Sequence, residues 1–161
     1  MFITISDENE WESFVEIFIE MEKYHHGEVE LTKEAMGNYL RKRVFDKDSG
    51  TEIYKVTIKG SLAAFACISI MYPAPLYAGQ MFIKQIFVSE KYRNLGIGKS
   101  LMSYLAKKAL EKDCLRLDWL SDKHNLQVQN FYQSIGGEVL ETVNYFRLSG
   151  TRLAELAVSS K

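Results

Sequence analysis

A glycine-containing segment at residues 93–98 is the part of the sequence whose residue types point most directly to chemistry. It reads RNLGIG, with Gly96 and Gly98 placed directly before a predicted helix. A backbone without side chains lets an anion approach closely, and the free N–H groups and dipole at a helix start attract negative charge. The segment therefore predicts a phosphate-binding loop.

The spacing of the glycines separates this loop from two familiar phosphate-binding patterns. A GxxxxGK[ST] loop could use the Gly-Lys-Ser run at 98–100, but its first glycine would fall on Arg93. A GxGxxG loop could use Gly96 and Gly98, but its third glycine would fall on Leu101. The pattern [RQ]xxGxG fits. A nucleotide-binding protein that uses residues 98–100 is kept as a third alternative for the function.

The elements that must position this loop follow from hydrophobic periodicity and turn residues. Strands are predicted at residues 2–5, 51–58, 61–72, 80–88, 115–121, 138–143 and 145–149. Helices are predicted from a capping box at Asp7 and Glu10 to Met21, from Thr32 to about Arg43, after the glycine loop, and at residues 126–135. We expect a mixed α/β fold, with a central, largely antiparallel seven-stranded sheet flanked by about four helices.

Composition limits the class of protein. The 161 residues carry a net charge of -1, which does not favour a nucleic-acid partner, and they suit one domain spanning 1–161. The apolar run at 62–72 is too short to span a bilayer, and the acidic N-terminus does not resemble a signal peptide. Cys67 and Cys114 lack metal-binding or disulfide spacing, so reduced thiols and a cytoplasmic location are expected.

Residues beyond the loop extend the pattern. Tyr92 precedes Arg93, and Asn125, the run Asn130-Phe131-Tyr132 and Gly136 follow in order. In this arrangement the chain resembles the GCN5-related N-acetyltransferase (GNAT) superfamily, from the first helix to the last strand and most strongly over residues 85–137. Segments 23–24, 31–34 and 117–132 look like the diamine and polyamine acetyltransferase subgroup. The resemblance implies the GNAT acyl-CoA N-acyltransferase fold, with coenzyme A entering where the fourth and fifth strands separate.

The resemblance also implies acetyl-coenzyme A as cosubstrate and a role for each matching residue. Backbone groups of Ile86, Phe87 and Val88 would pair with the pantetheine arm and the acetyl carbonyl, and Asn125 would hydrogen-bond the pantetheine amide. Tyr132 would donate a proton to the departing thiolate, although an aromatic pair with Phe131 that packs a helix is the alternative. The pyrophosphate would be bound by Arg93, Asn94, Leu95, Gly96, Ile97, Gly98, Lys99 and Ser100.

The acceptor side departs from the subgroup. An alkyl amine must lose a proton before it attacks, and the polyamine enzymes use a carboxylate on the central strand for this step. Here Lys84 and Gln85 occupy the matching positions, and His25 replaces the acid after Tyr24. A cationic Lys84 would repel a polycation and could receive the carboxylate of an amino-acid or peptide substrate. The substrate-side candidates are Tyr24, His25, Lys84, Gln85 and Asp118, with Asp118, Glu28 and Glu30 as further candidate bases.

The sequence thus predicts an N-acetyltransferase that moves the acetyl group of acetyl-coenzyme A onto a primary amine of a small molecule or peptide by direct attack. No metal is expected, because the adjacent His25 and His26 lack a third ligand in any recognised spacing. A catalytically weak acyl-CoA-binding sensor or interaction module is the alternative, and turnover would separate the two. A homodimer is a further expectation from the resemblance.

Overall fold

The structure is a computed structural model that describes residues 1–159. The chain divides into two compact units, Met1–Ser121 and a second unit that begins at Asp122. The first unit contains the whole β-sheet and three of the helices.

The first unit is built on a five-stranded sheet in which the strands follow one another in chain order. Neighbouring strands are antiparallel, except that β4 and β5 are parallel and are connected through a helix. The strands are β1 (Phe2–Ile5), β2 (Glu52–Ile58), β3 (Ser61–Met71), β4 (Gly79–Val88) and β5 (Cys114–Trp119). A parallel pair needs such a crossover, and here the crossover contains the glycine loop.

The helices of the first unit begin where the sequence signals predict. The Asp7 and Glu10 capping box forms, in a short 3₁₀ turn that leads into α1 (Trp11–His26). The Thr32 side chain accepts a hydrogen bond of 3.1 Å from the Ala35 N–H and caps α2 (Lys33–Tyr39). A π-helical turn, Leu40–Val44, continues α2, and α3 (Ile97–Glu111) follows the glycine loop.

Helices cover both faces of the central strand β3, which explains its nearly continuous apolar sequence. Phe65 is fully buried on the α1 side, where its ring stacks on Phe18 of α1 at 4.4 Å between centroids. The alternate residues Ala64 and Ala66 are also fully buried, on the opposite face. Packing therefore fixes the orientation of the sheet against α1, and with it the position of the end of α1.

The second unit contains α4 (Leu126–Ser134) and α5 (Gly150–Val158), and its residues up to Ser159 are partly buried or exposed. The mixed α/β class is confirmed, but the described residues form five strands rather than seven. Residues 138–143 and 145–149 form no strand, because β-branched and aromatic residues make a strand only when a neighbouring strand pairs with them. The helix α5 was not predicted.

Three further observations bear on the expectations from composition. No helix within residues 1–159 is long and apolar enough to cross a membrane. Cys67 and Cys114 are free thiols and both are buried. Over the same range, no group of three or more His, Cys, Asp or Glu side chains is arranged to hold a metal ion.

Candidate active site

The free edge of β4 is the first component of the site. Strand β5 pairs with β4 only as far as the Ile83 and Trp119 pair, whereas β4 continues to Val88. Beyond Ile83, β4 is hydrogen-bonded to β3 on one side, where Ile86, Phe87 and Val88 pair with Ala66, Phe65 and Ala64. Among the described residues, its other edge has no strand partner there, so backbone N–H and C=O groups face outward. This separation is the one expected for the coenzyme arm.

The glycine loop connects this edge to the start of α3. Gly96 has φ of 74° and caps the helix in a left-handed conformation, which a glycine adopts without steric cost. The Ser100 N–H donates to the Gly96 carbonyl at 3.0 Å, which closes the first turn. The N–H groups of Ile97, Gly98 and Lys99 precede that bond and therefore lie outside the helical hydrogen-bond ladder. They form a suitable binding surface for a phosphate group.

Arg93 braces the loop against α1. Its Nε donates to the Val88 carbonyl at 3.1 Å, and its guanidinium lies 4.5 Å from the Tyr24 ring centre and 5.5 Å from that of Phe87. A second contact is the hydrogen bond of 2.7 Å that the Glu90 N–H donates to the Glu20 carboxylate of α1. The positions of Arg93 and Tyr24 thus connect the end of β4 to the end of α1.

A cavity of about 850 Å³ lies between α1, the π-helical turn, the loop after it, and β4. Its volume suits a small molecule or the end of a peptide side chain. Its lining includes apolar side chains, three carboxylates and three cations: Phe18, Met21, Glu22, His25, His26, Tyr39, Lys42, Arg43, Val44, Asp46, Asp48, Ser49, Thr51, Cys67, Lys84 and Gln85. Such a lining can receive a substrate that carries both signs of charge.

A β-bulge places two of the predicted residues at this cavity. Cys67 of β3 pairs with Gln85, whereas the next residue, Ile68, pairs with Ile83, so Lys84 is the extra residue of β4. Bulges redirect side chains and are common beside active sites. Lys84 and Gln85 both line the cavity, and the Gln85 Nε2 lies 3.2 Å from the Nε2 of His25. All three residues therefore lie at the cavity, and their role toward a substrate stays a prediction.

The other two substrate-side candidates lie elsewhere. Tyr24 is covered by the Arg93 guanidinium, and it is not part of the cavity lining. Asp118 is on β5, where it accepts a hydrogen bond from the Gln80 side-chain amide, and it does not line the cavity either.

Charged residues that the sequence analysis did not single out complete the cavity wall. Lys42 and Arg43 come from the π-helical turn, and Asp46 and Asp48 from the loop that follows it. The signal in the sequence is the dense run of cations and acids over residues 41–48, at the predicted end of the helix that begins at Thr32.

The remaining predicted residues belong to the second unit. The Asn125 side chain caps α4, where its Oδ1 accepts a hydrogen bond from the Val128 N–H at 3.1 Å. Tyr132 lies in the same helix, with its ring centre 5.2 Å from that of Phe131. Burial raises the pKa of the Tyr132 phenol, so the phenol keeps its proton at neutral pH and can donate it.

Comparison with known proteins gives the family of this chain. The sequence profile of the Acetyltransferase (GNAT) family matches residues 9–137. The chain belongs to this family, so the resemblance inferred from the glycine loop and from Asn125 and Tyr132 is confirmed.

Three similar proteins narrow the comparison. L-ornithine N5-acetyltransferase of Arabidopsis thaliana is 33% identical over 92 residues, which are 57% of this chain and 40% of that protein. Thialysine N-epsilon-acetyltransferase of Bos taurus is 30% identical over 80 residues, 48% of this chain and 47% of that protein. The chain thus spans less than half the length of these curated relatives. An integron cassette protein from the mobile metagenome of V. cholerae has 37% identity and a TM-score of 0.93, covering 99% of both chains.

Proposed function

We propose that this protein transfers the acetyl group of acetyl-coenzyme A to a primary amine of a small molecule or peptide. The observation that carries the proposal is the free edge of β4 beyond Ile83, which leads directly to the anion-binding start of α3. An extended pantetheine arm can pair with that edge while the pyrophosphate lies at the N–H groups of Gly98 and its neighbours.

The reaction would be a direct transfer. The amine nitrogen attacks the thioester carbonyl carbon, the carbon–sulfur bond breaks, and the thiolate takes a proton from the Tyr132 phenol. Backbone N–H groups on the free edge of β4 are suited to stabilise the oxygen on which charge develops. A phenol is protonated at neutral pH, so Tyr132 has a proton to give when the thiolate leaves.

The acceptor we favour is the side-chain amine of a small diamino acid. The similar proteins named above act on L-ornithine and on thialysine, both amino acids with a side-chain amine. The cavity agrees with such a substrate, since Asp46 and Asp48 can attract an ammonium group while Lys84 and Arg43 can attract a carboxylate. A polyamine would offer no partner to the cations.

Turnover tests the proposed function directly. The full chain is incubated with acetyl-coenzyme A and a panel of amines that includes L-ornithine, L-lysine, putrescine, spermidine and a lysine peptide. Release of the coenzyme thiol together with an acetylated product supports the enzyme. Binding of coenzyme A without release for every amine would favour the acyl-CoA sensor instead, and no binding of coenzyme A would contradict both.

Replacing Lys84 with alanine tests the substrate class. Ornithine and putrescine differ only in the carboxylate, so Lys84→Ala should raise KM for ornithine about 5-fold, as expected for loss of an exposed ion pair worth about 1 kcal/mol. KM for putrescine should stay unchanged or fall. Lys47→Ala, in a neighbouring loop position outside the cavity lining, is the matched control. If KM changes equally for ornithine and putrescine, Lys84 does not bind the substrate carboxylate.

We also propose that the protein forms a homodimer through residues 138–149. Six apolar side chains of this segment are 50% or more exposed, and Phe146 is exposed by 87%: Val139, Leu140, Val143, Tyr145, Phe146 and Leu148. A concentration of exposed apolar residues on this scale is typical of an interface. A second copy offers the same segment, so a twofold contact would cover both.

Light scattering after size exclusion tests the dimer at micromolar concentrations. The wild-type mass should be twice that of the 18.5 kDa chain, and Phe146→Glu should shift it to the monomer. Tyr77→Glu adds the same charge at an exposed aromatic of the first unit and should remain dimeric. A monomeric wild-type protein would overturn this proposal.

Two broader assignments complete the proposal. The match to the GNAT family runs across both compact units, which favours a single acetyltransferase domain over 1–161. The two buried free thiols favour a reducing compartment such as the cytoplasm.

A further inference from the structure

The contact between His25 and Gln85 joins the end of α1 to the bulge of β4. The Gln85 Nε2 lies 3.2 Å from the His25 Nε2 and 2.8 Å from the sulfur of Met21. A thioether sulfur and an unprotonated imidazole nitrogen are both acceptors, and an amide NH₂ has two hydrogens to donate. This orientation of the Gln85 amide supplies one hydrogen to each, and it places the proton of the neutral His25 ring on Nδ1.

The position of this contact along β4 matters for the reaction. Gln85 comes two residues after Ile83, the last residue of β4 that pairs with β5. The contact therefore lies at the beginning of the free edge, on the strand along which the thioester is proposed to bind. Both side chains also line the acceptor cavity. A group held there is close to an amine that attacks from the cavity.

We infer that His25 is the base that accepts the proton of the substrate ammonium group, with Gln85 as the positioning residue. This inference rests on the proposed function. The ammonium N–H bond breaks and its proton passes to the His25 Nε2, where it replaces the N–H of Gln85. The freed lone pair then forms the bond to the thioester carbonyl carbon, and the imidazolium returns its proton to water, because His25 is exposed at the cavity.

The chemistry of the alternatives favours His25. Gln85 has no proton-accepting nitrogen, because the amide lone pair is delocalised, and Lys84 is a cation. A carboxylate oxygen of Glu22 lies 3.6 Å from the Nε2 of His26, the neighbouring histidine. Histidine is the side chain that exchanges a proton near neutral pH, which is the property a base for this step requires.

Several charged groups face the same cavity, so variants must assign the pH dependence. Glu22 and His26 come from α1, Lys84 from β4, Lys42 and Arg43 from the π-helical turn, and Asp46 and Asp48 from the loop. The decisive measurement is therefore a pH profile of kcat and kcat/KM for each variant, made with the best amine of the panel.

His25→Gln keeps a polar side chain of similar length but cannot accept a proton. At neutral pH, kcat should fall about 100-fold, the low end of what general-base catalysis contributes. The wild-type profile should show an acidic limb, a fall in rate at low pH as the base becomes protonated. This limb should disappear in His25→Gln, whose rate should rise with pH only in proportion to the unprotonated fraction of the amine substrate. His26→Gln, the adjacent ring, can change KM but should keep the acidic limb.

Substitutions at Gln85 test the pairing. Gln85→Leu should lower kcat less than His25→Gln and retain the limb, since the base is present but less well oriented. Adding Gln85→Glu to His25→Gln should restore part of kcat and create a limb at lower pH, because a carboxylate then lies at the same place. Thermal stabilisation by coenzyme A, unchanged in each variant, reports that the fold and the donor site are intact.

Two results would overturn different statements. If His25→Gln keeps the wild-type kcat and acidic limb, His25 is not the base, and the proposed function stands. If the wild-type protein acetylates no amine of the panel, the proposed function fails first.

Discussion

Gly98→Glu should weaken the binding of coenzyme A at least about 100-fold, an effect of about 2.7 kcal/mol. Gly98 is the second residue of α3, and its N–H is one of those that precede the first helical hydrogen bond. A glutamate there would place a side chain and a negative charge in the space assigned to the pyrophosphate. The helix itself should tolerate the change, because glutamate suits a helix interior better than glycine and suits the first turn. Isothermal titration with coenzyme A measures the effect.

Two control variants separate charge from bulk and from simple destabilisation. Gly98→Ala adds only a methyl group and should weaken binding far less. Ala106→Glu adds the same charge on an exposed position of the same helix, away from its start, and should bind like the wild type. If Gly98→Glu retains full affinity, the pyrophosphate lies elsewhere.

Tyr132→Phe should lower kcat about 100- to 1000-fold, within the range of general-acid catalysis. Its dissociation constant for coenzyme A should change less than about 3-fold, since the ring and its contact with Phe131 remain. The expected selectivity for kcat follows from the chemistry: phenylalanine fills the same volume but has no proton for the departing thiolate. Steady-state kinetics with a saturating amine, combined with binding measurements, distinguish the two effects.

The pH dependence of the wild-type protein gives a second check on Tyr132. Because burial raises the pKa of the phenol in the folded protein, the acid stays protonated through neutral pH and is lost only in strongly alkaline solution. Tyr77→Phe, at a fully exposed tyrosine of the first unit, should leave kcat unaltered. Wild-type turnover by Tyr132→Phe would leave the aromatic packing role as the explanation for this residue.

The strands of the first unit were predictable because their signals are local. Long β-branched or apolar runs bounded by turns placed β2, β3 and β4 within about two residues of their observed ends. The capping box at Asp7 and the cap at Thr32 likewise depend on neighbours three residues away. The segment 138–149 has comparable β-propensity, but strand formation there requires a partner that local sequence cannot supply.

The candidate site was likewise predictable only where its signals are local. The glycine loop follows from spacing within six residues, and its helix start is where the pattern indicates. The cavity wall is different, because Lys42, Arg43 and Asp46 come together with Lys84 only when the chain folds across about 40 intervening residues. The contact of Gln85 with His25 likewise joins residues 60 positions apart. Such pairs depend on the packing of α1 against the sheet.

The burial of both cysteines has a practical consequence for measuring the reaction. Burial raises the pKa of the Cys67 thiol to about 12, and it also raises the pKa of Cys114, so both sulfurs stay protonated at assay pH. A protonated, buried thiol reacts slowly with disulfide dyes, since the thiolate is the nucleophile. The native protein should therefore contribute little colour, and a continuous thiol-detection assay will report the coenzyme thiol that the proposed reaction sets free. If the dye signal of the protein without substrate rises, the two cysteines have become accessible through unfolding of the sheet.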